Sequence, residues 1–286
     1  MKKLLALVLA LSLCAVCFAG CGGKESKKSS DGSSTELKTV TVAASTSPHS
    51  EILEQCKEDM KAQGYELVVK IMDDYVVPNT ATESGDVDAN YFQHTPYLEQ
   101  FNKENNTHLV PVLKVHYEPL GIYAGTSKTL EDIPDGAQIA VPNDTTNEAR
   151  ALMLLDAQGL IKLKDNTNLT ATKNDIAENP HKYEIKEMEA ALLTSVLDEV
   201  AVAVINGNYA VEKGLKVNES LAKEDASSTA AQTYGNILVV KEGNENNDGI
   251  LVLAEILKSK KIASYIEKTY KSAVVSLREE ESNTSN

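Results

Sequence analysis

Residues 199–205 read Glu-Val-Ala-Val-Ala-Val-Ile. After the glutamate the run is wholly apolar and mostly β-branched, and it is too short for an ordinary helix. Without polar alternation it predicts a strand covered on both faces, as in a parallel sheet flanked by helices. The flanking segments support that. Tyr183–Met188 reads as a strand and Ala190–Leu197 as a helix. Ala137–Val141 is a strand running through Pro142-Asn143-Asp144-Thr145-Thr146-Asn147 into a helix over Glu148–Gln158, stopped by Gly159. Further upstream, Thr39–Ala44 is a β-branched strand. A helix follows over His49–Gln63, with Ile52, Leu53, Cys56 and Met60 at helical spacing, and then a strand over Tyr65–Met72. Thr80–Ser84 and Pro96–Asn105 are expected helices, Tyr91–Pro96 an expected loop, and Asp175–Asn179 a short helix. Ile237–Val240 is a strand. Ile250, Leu253, Ala254 and Leu257, then Ile262, Ile266 and Tyr270, mark two closing helices.

Strands alternating with helices place the chain in the α/β class, with mostly parallel sheets flanked by helices. Extended stretches at 109–124 and 230–240 read as two crossover links between lobes. One lobe then takes 37–120 and 234–278, and the other 121–233. Ligands in such folds sit at the carboxyl ends of the strands, between the lobes.

The chain begins with a basic Met1-Lys2-Lys3, an apolar run from Leu4 to Phe18, and Ala19-Gly20-Cys21. This is the layout of a secretory signal over 1–20, too short to span a bilayer. Phe18-Ala19-Gly20-Cys21 resembles a bacterial lipobox, in which the cysteine is diacylated and heads the mature protein. The alternative is ordinary signal cleavage nearby, with Cys21 incidental. Residues 22–36 contain Gly, Ser, Lys and Asp and no large apolar group, so 21–36 is expected to be a flexible tether. The tail 279–286 is expected to be disordered. Of the four cysteines, Cys14 and Cys17 leave with the leader and Cys21 would carry lipid. Cys56 is left alone, and it reads as a small core residue. The formal charge is −14, which repels phosphate backbones and argues against nucleic acid as a partner. Membrane affinity would come from the acyl chain.

The sequence has no G-x-S-x-G, P-loop, post-strand G-x-G-x-x-G or H-E-x-x-H motif, so no enzyme class is indicated, and no metal or cofactor site. Two local features stand out. Aromatic residues crowd between Tyr75 and Tyr123, and Tyr91-Phe92-Gln93-His94 looks more like a functional loop than core. The second is the turn before residue 148. A helix N-terminus there favours anions, yet Arg150 places a cation in the first turns. A bound carboxylate would resolve the conflict, because arginine holds carboxylates bidentately. An exposed arginine or a structural ion pair would resolve it equally well.

These residues also carry a resemblance. Asp74-Tyr75-Val76-Val77-Pro78-Asn79, Asp86-Val87-Asp88-Ala89-Asn90-Tyr91-Phe92-Gln93-His94, Val141-Pro142-Asn143-Asp144 with Asn147 and Arg150, and Ala203-Val204-Ile205-Asn206 resemble the NlpA/MetQ family of methionine-binding lipoproteins. The likeness runs from Thr39 to about Tyr270. It implies a two-lobed, type-2 periplasmic-binding fold that closes on an amino acid without breaking a bond. It implies a lipoprotein outside the cytoplasmic membrane of a bacterium, anchored through Cys21 and handing L-methionine to an ABC permease and ATPase; a monomer is the default for such a tethered carrier. Carried over, Arg150 helped by Asn147 clamps the α-carboxylate, and Asn206 and Asn236 add amide bonds. Glu118 faces the α-ammonium, and Tyr75, Phe92 and His94 wall the side-chain pocket. The family often has proline where Thr145 stands. Some members take other apolar amino acids or a methionine-containing dipeptide. Two rivals from other classes are a surface lipoprotein with a vestigial cleft and an exported enzyme using His94 as its base.

Overall fold

The computed structural model describes residues 36–225 and 232–278. The 1–20 leader, Cys21, nearly all of the 21–36 tether and the 279–286 tail lie outside the described residues, so the expectations for them are not addressed by the coordinates. In chain order the strands are β1 (Lys38–Ala44), β2 (Tyr65–Ile71), β3 (Ala89–His94), β4 (Leu109–Tyr117), β5 (Gly121–Ala124), β6 (Gln138–Pro142), β7 (Lys162–Leu163), β8 (Ile176–Glu178), β9 (Glu184–Met188), β10 (Val202–Ile205), β11 (Ala222–Lys223), β12 (Asn236–Lys241) and β13 (Val275–Ser276). Among the described residues they form a six-stranded sheet, β13-β4-β12-β3-β1-β2, and a five-stranded sheet, β11-β5-β10-β6-β9. A small pair, β7 with β8, stands apart.

Both large sheets are mixed. The runs β3-β1-β2 and β10-β6-β9 are parallel. Antiparallel neighbours include strands that enter from the other sheet, with β12 between β3 and β4 and β5 beside β10, and the edge strands β13 and β11. The expectation of mostly parallel sheets therefore describes the strand–helix–strand segments and not the returning strands. Strand β10 is the apolar run read first from the sequence, shortened to Val202–Ile205. Val202 and Val204 pack with Ile139, Val141, Leu152 and Leu155 on one face. Ala203 and Ile205 pack with Ala140, Leu193 and Tyr209 on the other. Burying each of its larger side chains contributes about 1.5–3 kcal/mol. The six-stranded sheet has its own core, where Ile52, Cys56 and Met60 meet Val42, Leu253, Ile262 and Ile266.

Several local expectations change. The expected helix over 49–63 is two short helices, Glu51–Glu54 and Lys57–Ala62, preceded by a turn at Thr46–Ser50. The expected 80–84 helix starts earlier, at Val77, because Asp74 accepts the Val76 and Val77 N–H groups at 2.7 Å and Pro78 suits a first turn. Residues 175–179 form a tight turn and then β8, not a helix. The largest difference is at Tyr91–Pro96. Residues Ala89–His94 are a fully buried central strand, and a helix, Thr95–Asn105, starts at once. The polar residues tolerate burial because Asn79, Asn90, Gln93 and Thr82 bond to one another at 2.5–3.0 Å. Such mutual satisfaction removes the desolvation penalty that makes polar residues signal a loop. The long extended segment 109–124 divides at Glu118–Leu120, where the chain passes from β4 in one sheet to β5 in the other.

Candidate functional site

The strand ends converge on one cavity. It is lined by Tyr75, Phe92, His94, Glu118, Asn147, Arg150, Asn206 and Asn236, and also by Gln93, Tyr97, Gly207 and Asn208. All eight residues singled out from the sequence are thus brought together. Phe92 and His94 end β3, Glu118 follows β4, Asn206 follows β10, and Asn236 opens β12. Asn147 and Arg150 project from the first turns of the helix Thr145–Ala157, which follows β6. Ring centroids of Tyr75, Phe92 and Tyr97 lie 5.6–6.0 Å apart, giving the cavity an aromatic wall.

A chain of hydrogen bonds fixes the direction of each amide. The Asp144 carboxylate caps the helix by accepting from the Asn147 backbone N–H at 3.0 Å, and it also accepts from Asn147 Nδ2 at 2.9 Å. Asn147 Oδ1 must then be the acceptor, and Asn206 Nδ2 donates to it at 2.8 Å. His94 Nδ1 accepts from the Tyr97 backbone N–H at 3.2 Å, so its proton sits on Nε2, which donates to Asn147 Oδ1 at 3.2 Å. Both side-chain faces of Asn147 are therefore committed within the protein. Asn206 Oδ1 is left without a hydrogen-bond partner, and it is buried. Tyr75 Oη donates to Asn208 Oδ1 at 2.7 Å, which leaves Asn208 Nδ2 buried and unpaired as well. One free acceptor and one free donor on the same cavity wall suit a ligand that carries both. Burial first, and then the Arg150 charge, lower the His94 pKa to about 3. With its Nδ1 lone pair already engaged, His94 is poorly placed to be a general base.

Glu118 lies deeper. Its Oε1 accepts from His116 Nε2 at 2.6 Å and lies 3.5 Å from His49 Nε2. Burial raises its pKa, and the nearby His49 and Arg150 oppose that rise. His49 in turn contacts Ser45 Oγ at 2.7 Å and donates to Asn236 Oδ1 at 3.0 Å, and His116 Nδ1 accepts from the Tyr91 hydroxyl. Burial lowers the pKa of His49 to about 4 and of His116 to about 3. The ligating atoms of His49, His116 and Glu118 lie within 4.8 Å of one another, a spacing that could hold a cation, but hydrogen bonds already complete the cluster. Gly207 belongs here for steric reasons, since a Cβ at that position would stand 2.6 Å from Glu118 Cβ.

Arg150 resolves the conflict noted at its helix end in a way the local sequence cannot show. Its guanidinium forms a buried bidentate pair with Glu224, Nε to Oε1 at 2.7 Å and Nη2 to Oε2 at 2.6 Å. Nη2 also donates to the Glu118 carbonyl at 2.9 Å, and the Tyr234 ring lies 4.3 Å from the guanidinium carbon. Burial pulls the Arg150 pKa down, but Glu224 more than offsets it, so the group stays charged. The sequence carried no signal for Glu224, which lies 74 residues from Arg150. Gln93, Gly207 and Asn208 sit beside residues that were singled out, whereas Tyr97 read as core packing and only the fold reveals that it shares the cavity.

Comparison with known proteins sets this site in a family. The family model described as NlpA lipoprotein matches residues 40–277. The methionine-binding lipoprotein MetQ of Bacillus subtilis is 40% identical over 98% of this chain and 100% of its own. A crystal structure of a lipoprotein from Ruminococcus gnavus is 57% identical, with a TM-score of 0.83, covering 84% of this chain and 99% of that one. A nutrient-binding protein from Burkholderia cenocepacia, solved bound to methionine, is 38% identical with a TM-score of 0.79, covering 83% and 99%.

Proposed function

The chain belongs to the NlpA lipoprotein family, and on that premise we propose that it is an extracytoplasmic, membrane-anchored solute-binding protein that captures L-methionine and delivers it to an ABC importer. The observation that carries this reading is the cavity, where a buried arginine and two unpaired amide atoms face an aromatic wall. A zwitterion in a dry cleft needs both charges answered. Arg150 and the free Asn208 Nδ2 answer the carboxylate, while Asn206 Oδ1 and Glu118 answer the ammonium. Asn236 supports the ammonium side through His49. Asn147 acts by orienting Asn206 and His94 and does not touch the carboxylate. Tyr75, Phe92 and Tyr97 take the thioether, a polarisable group that packs well on aromatic rings.

Binding is coupled to lobe closure. Under this reading the lobes are 37–120 with 234–278, and 121–233. Several bonds join them: Tyr75 to Asn208 at 2.7 Å, Tyr209 Oη to the Asp73 carbonyl at 3.0 Å, and Thr145 to Glu104 at 3.1 Å. No bond of the ligand is broken. The anchor is the lipidated Cys21 and the protein acts as a monomer.

The test is titration calorimetry of protein unfolded and refolded to remove any co-purified ligand. One-to-one binding of L-methionine is expected, lost by at least 100-fold in Arg150→Ala. No heat with L-methionine, but heat with a methionine-containing dipeptide or another apolar amino acid, would reassign the ligand. No binding of any of these would leave a vestigial cleft.

A further inference from the structure

The bonds around Arg150 do more than a ligand clamp requires. Glu224 takes the Nε–Nη2 edge of the guanidinium, and it is itself held by two further donors, Tyr117 Oη at 2.6 Å and the Leu120 N–H at 2.9 Å. Tyr117 and Leu120 flank the crossing from β4 to β5, and Glu224 directly follows β11. The side chains of Arg150 and Glu224 are 5% and 10% exposed. The pair thus ties the helix Thr145–Ala157 to the segment that joins the two sheets, and it fixes the plane of the guanidinium.

The pair also changes the charge that a ligand meets. A lone buried arginine attracts any carboxylate. An arginine already matched by Glu224 still donates hydrogen bonds, but it brings no net positive charge. A ligand carboxylate on the same guanidinium would lie close to the Glu224 carboxylate and be repelled by it. Glu118, which also lines the cavity, adds a second carboxyl group.

We propose that Glu224 is a positioning and specificity residue: it orients Arg150 and cancels its charge, so that the cavity admits a carboxylate only when the ligand brings its own ammonium group. This rests on the amino-acid-binding function proposed above. It identifies why the site would reject simple carboxylic acids of the same shape.

The test compares two probes in the full-length protein in detergent: L-methionine and 4-(methylthio)butanoic acid, which has the same skeleton without the amine. The quantity is the ratio of their dissociation constants, acid over methionine. In Glu224→Gln, which keeps the side-chain volume and removes the charge, the ratio is expected to fall at least tenfold. Tyr117→Phe removes one bond to Glu224 but no charge, and its ratio is expected to stay within threefold of the parent. A purely structural role would weaken both probes together, so an unchanged ratio in Glu224→Gln overturns the proposal. Glu224→Met serves as the second variant should the glutamine protein not fold. If neither variant folds, the specificity role is overturned in favour of a structural one. A parent that does not bind L-methionine would refute the binding function itself, a result distinct from an unchanged ratio.

Discussion

His94 joins two roles that cannot be separated by inspection of the sequence. Its Nδ1 caps the helix Thr95–Asn105 by accepting from Tyr97, and its Nε2 bonds across the cavity to Asn147. The capping role requires the neutral imidazole, because a protonated Nδ1 cannot accept. In the unfolded chain the group titrates near 6.5, and in the folded chain burial holds it at about 3. Below pH 6.5 the unfolded chain takes up a proton that the folded chain refuses, so this group lowers stability as the pH falls from 6.5 toward 3 and has no effect above that range. Asparagine at 94 can still cap the helix but cannot titrate. The loss of unfolding free energy between pH 7 and pH 4.5, measured with urea, is expected to be about 2 kcal/mol smaller in His94→Asn than in the parent. Glu118 and Asp144, whose pKa values burial raises, pull the other way in both proteins and cancel in the comparison. Equal losses in the two proteins would sink this account of His94.

At the scale of elements, the helix Thr145–Ala157 organises the cavity from its first turn. Asp144 is its N-cap, and the same carboxylate sets the direction of the Asn147 amide. Removing the cap should therefore do two things at once. Asp144→Ala is expected to cost about 1 kcal/mol in stability, within the usual range for an N-cap. It should also weaken methionine binding several-fold, because Asn147 is then free to turn and Asn206 loses its fixed orientation. Thermal unfolding and calorimetry on the same sample check both effects. A variant that loses stability but keeps full affinity would show that the orientation of Asn147 is irrelevant to the ligand. The elements also show where sequence patterns mislead. Tyr91–Pro96 looks like a loop because of its proline and its polar Gln, His and Thr, yet β3 sits between β1 and β12 with the Gln93 amide bonded to Asn79 and Asn90. The apolar pattern of β10 carried no such ambiguity, since it lacks polar groups that need partners.

At the scale of the whole molecule, two sheets share one cavity, and no helix among the described residues is long and apolar enough to cross a membrane. In the function proposed above, membrane attachment is assigned to Cys21. Cys21→Ser is expected to move the protein from the membrane fraction to the soluble one while leaving methionine affinity unchanged, and fractionation with immunoblotting checks it. Unchanged membrane fractionation would place the anchor elsewhere.

By itself the sequence determined the α/β class, through apolar runs such as Val200–Ile205 and the alternation of strand and helix around them. Local patterns pointed to Arg150 and to the Tyr91–His94 stretch, and the family resemblance marked the full set of eight residues that the fold gathers at the cavity. Only the tertiary structure decided the antiparallel insertion of β12 and β5, since strand direction depends on which sheet a returning segment joins. It alone paired Arg150 with Glu224 and closed the His49–His116–Glu118 cluster. Hydrogen bonds between residues far apart in the chain leave no periodicity in the sequence. Their energy depends on burial and on the direction of each donor, and both are set only when the sheets and helices pack.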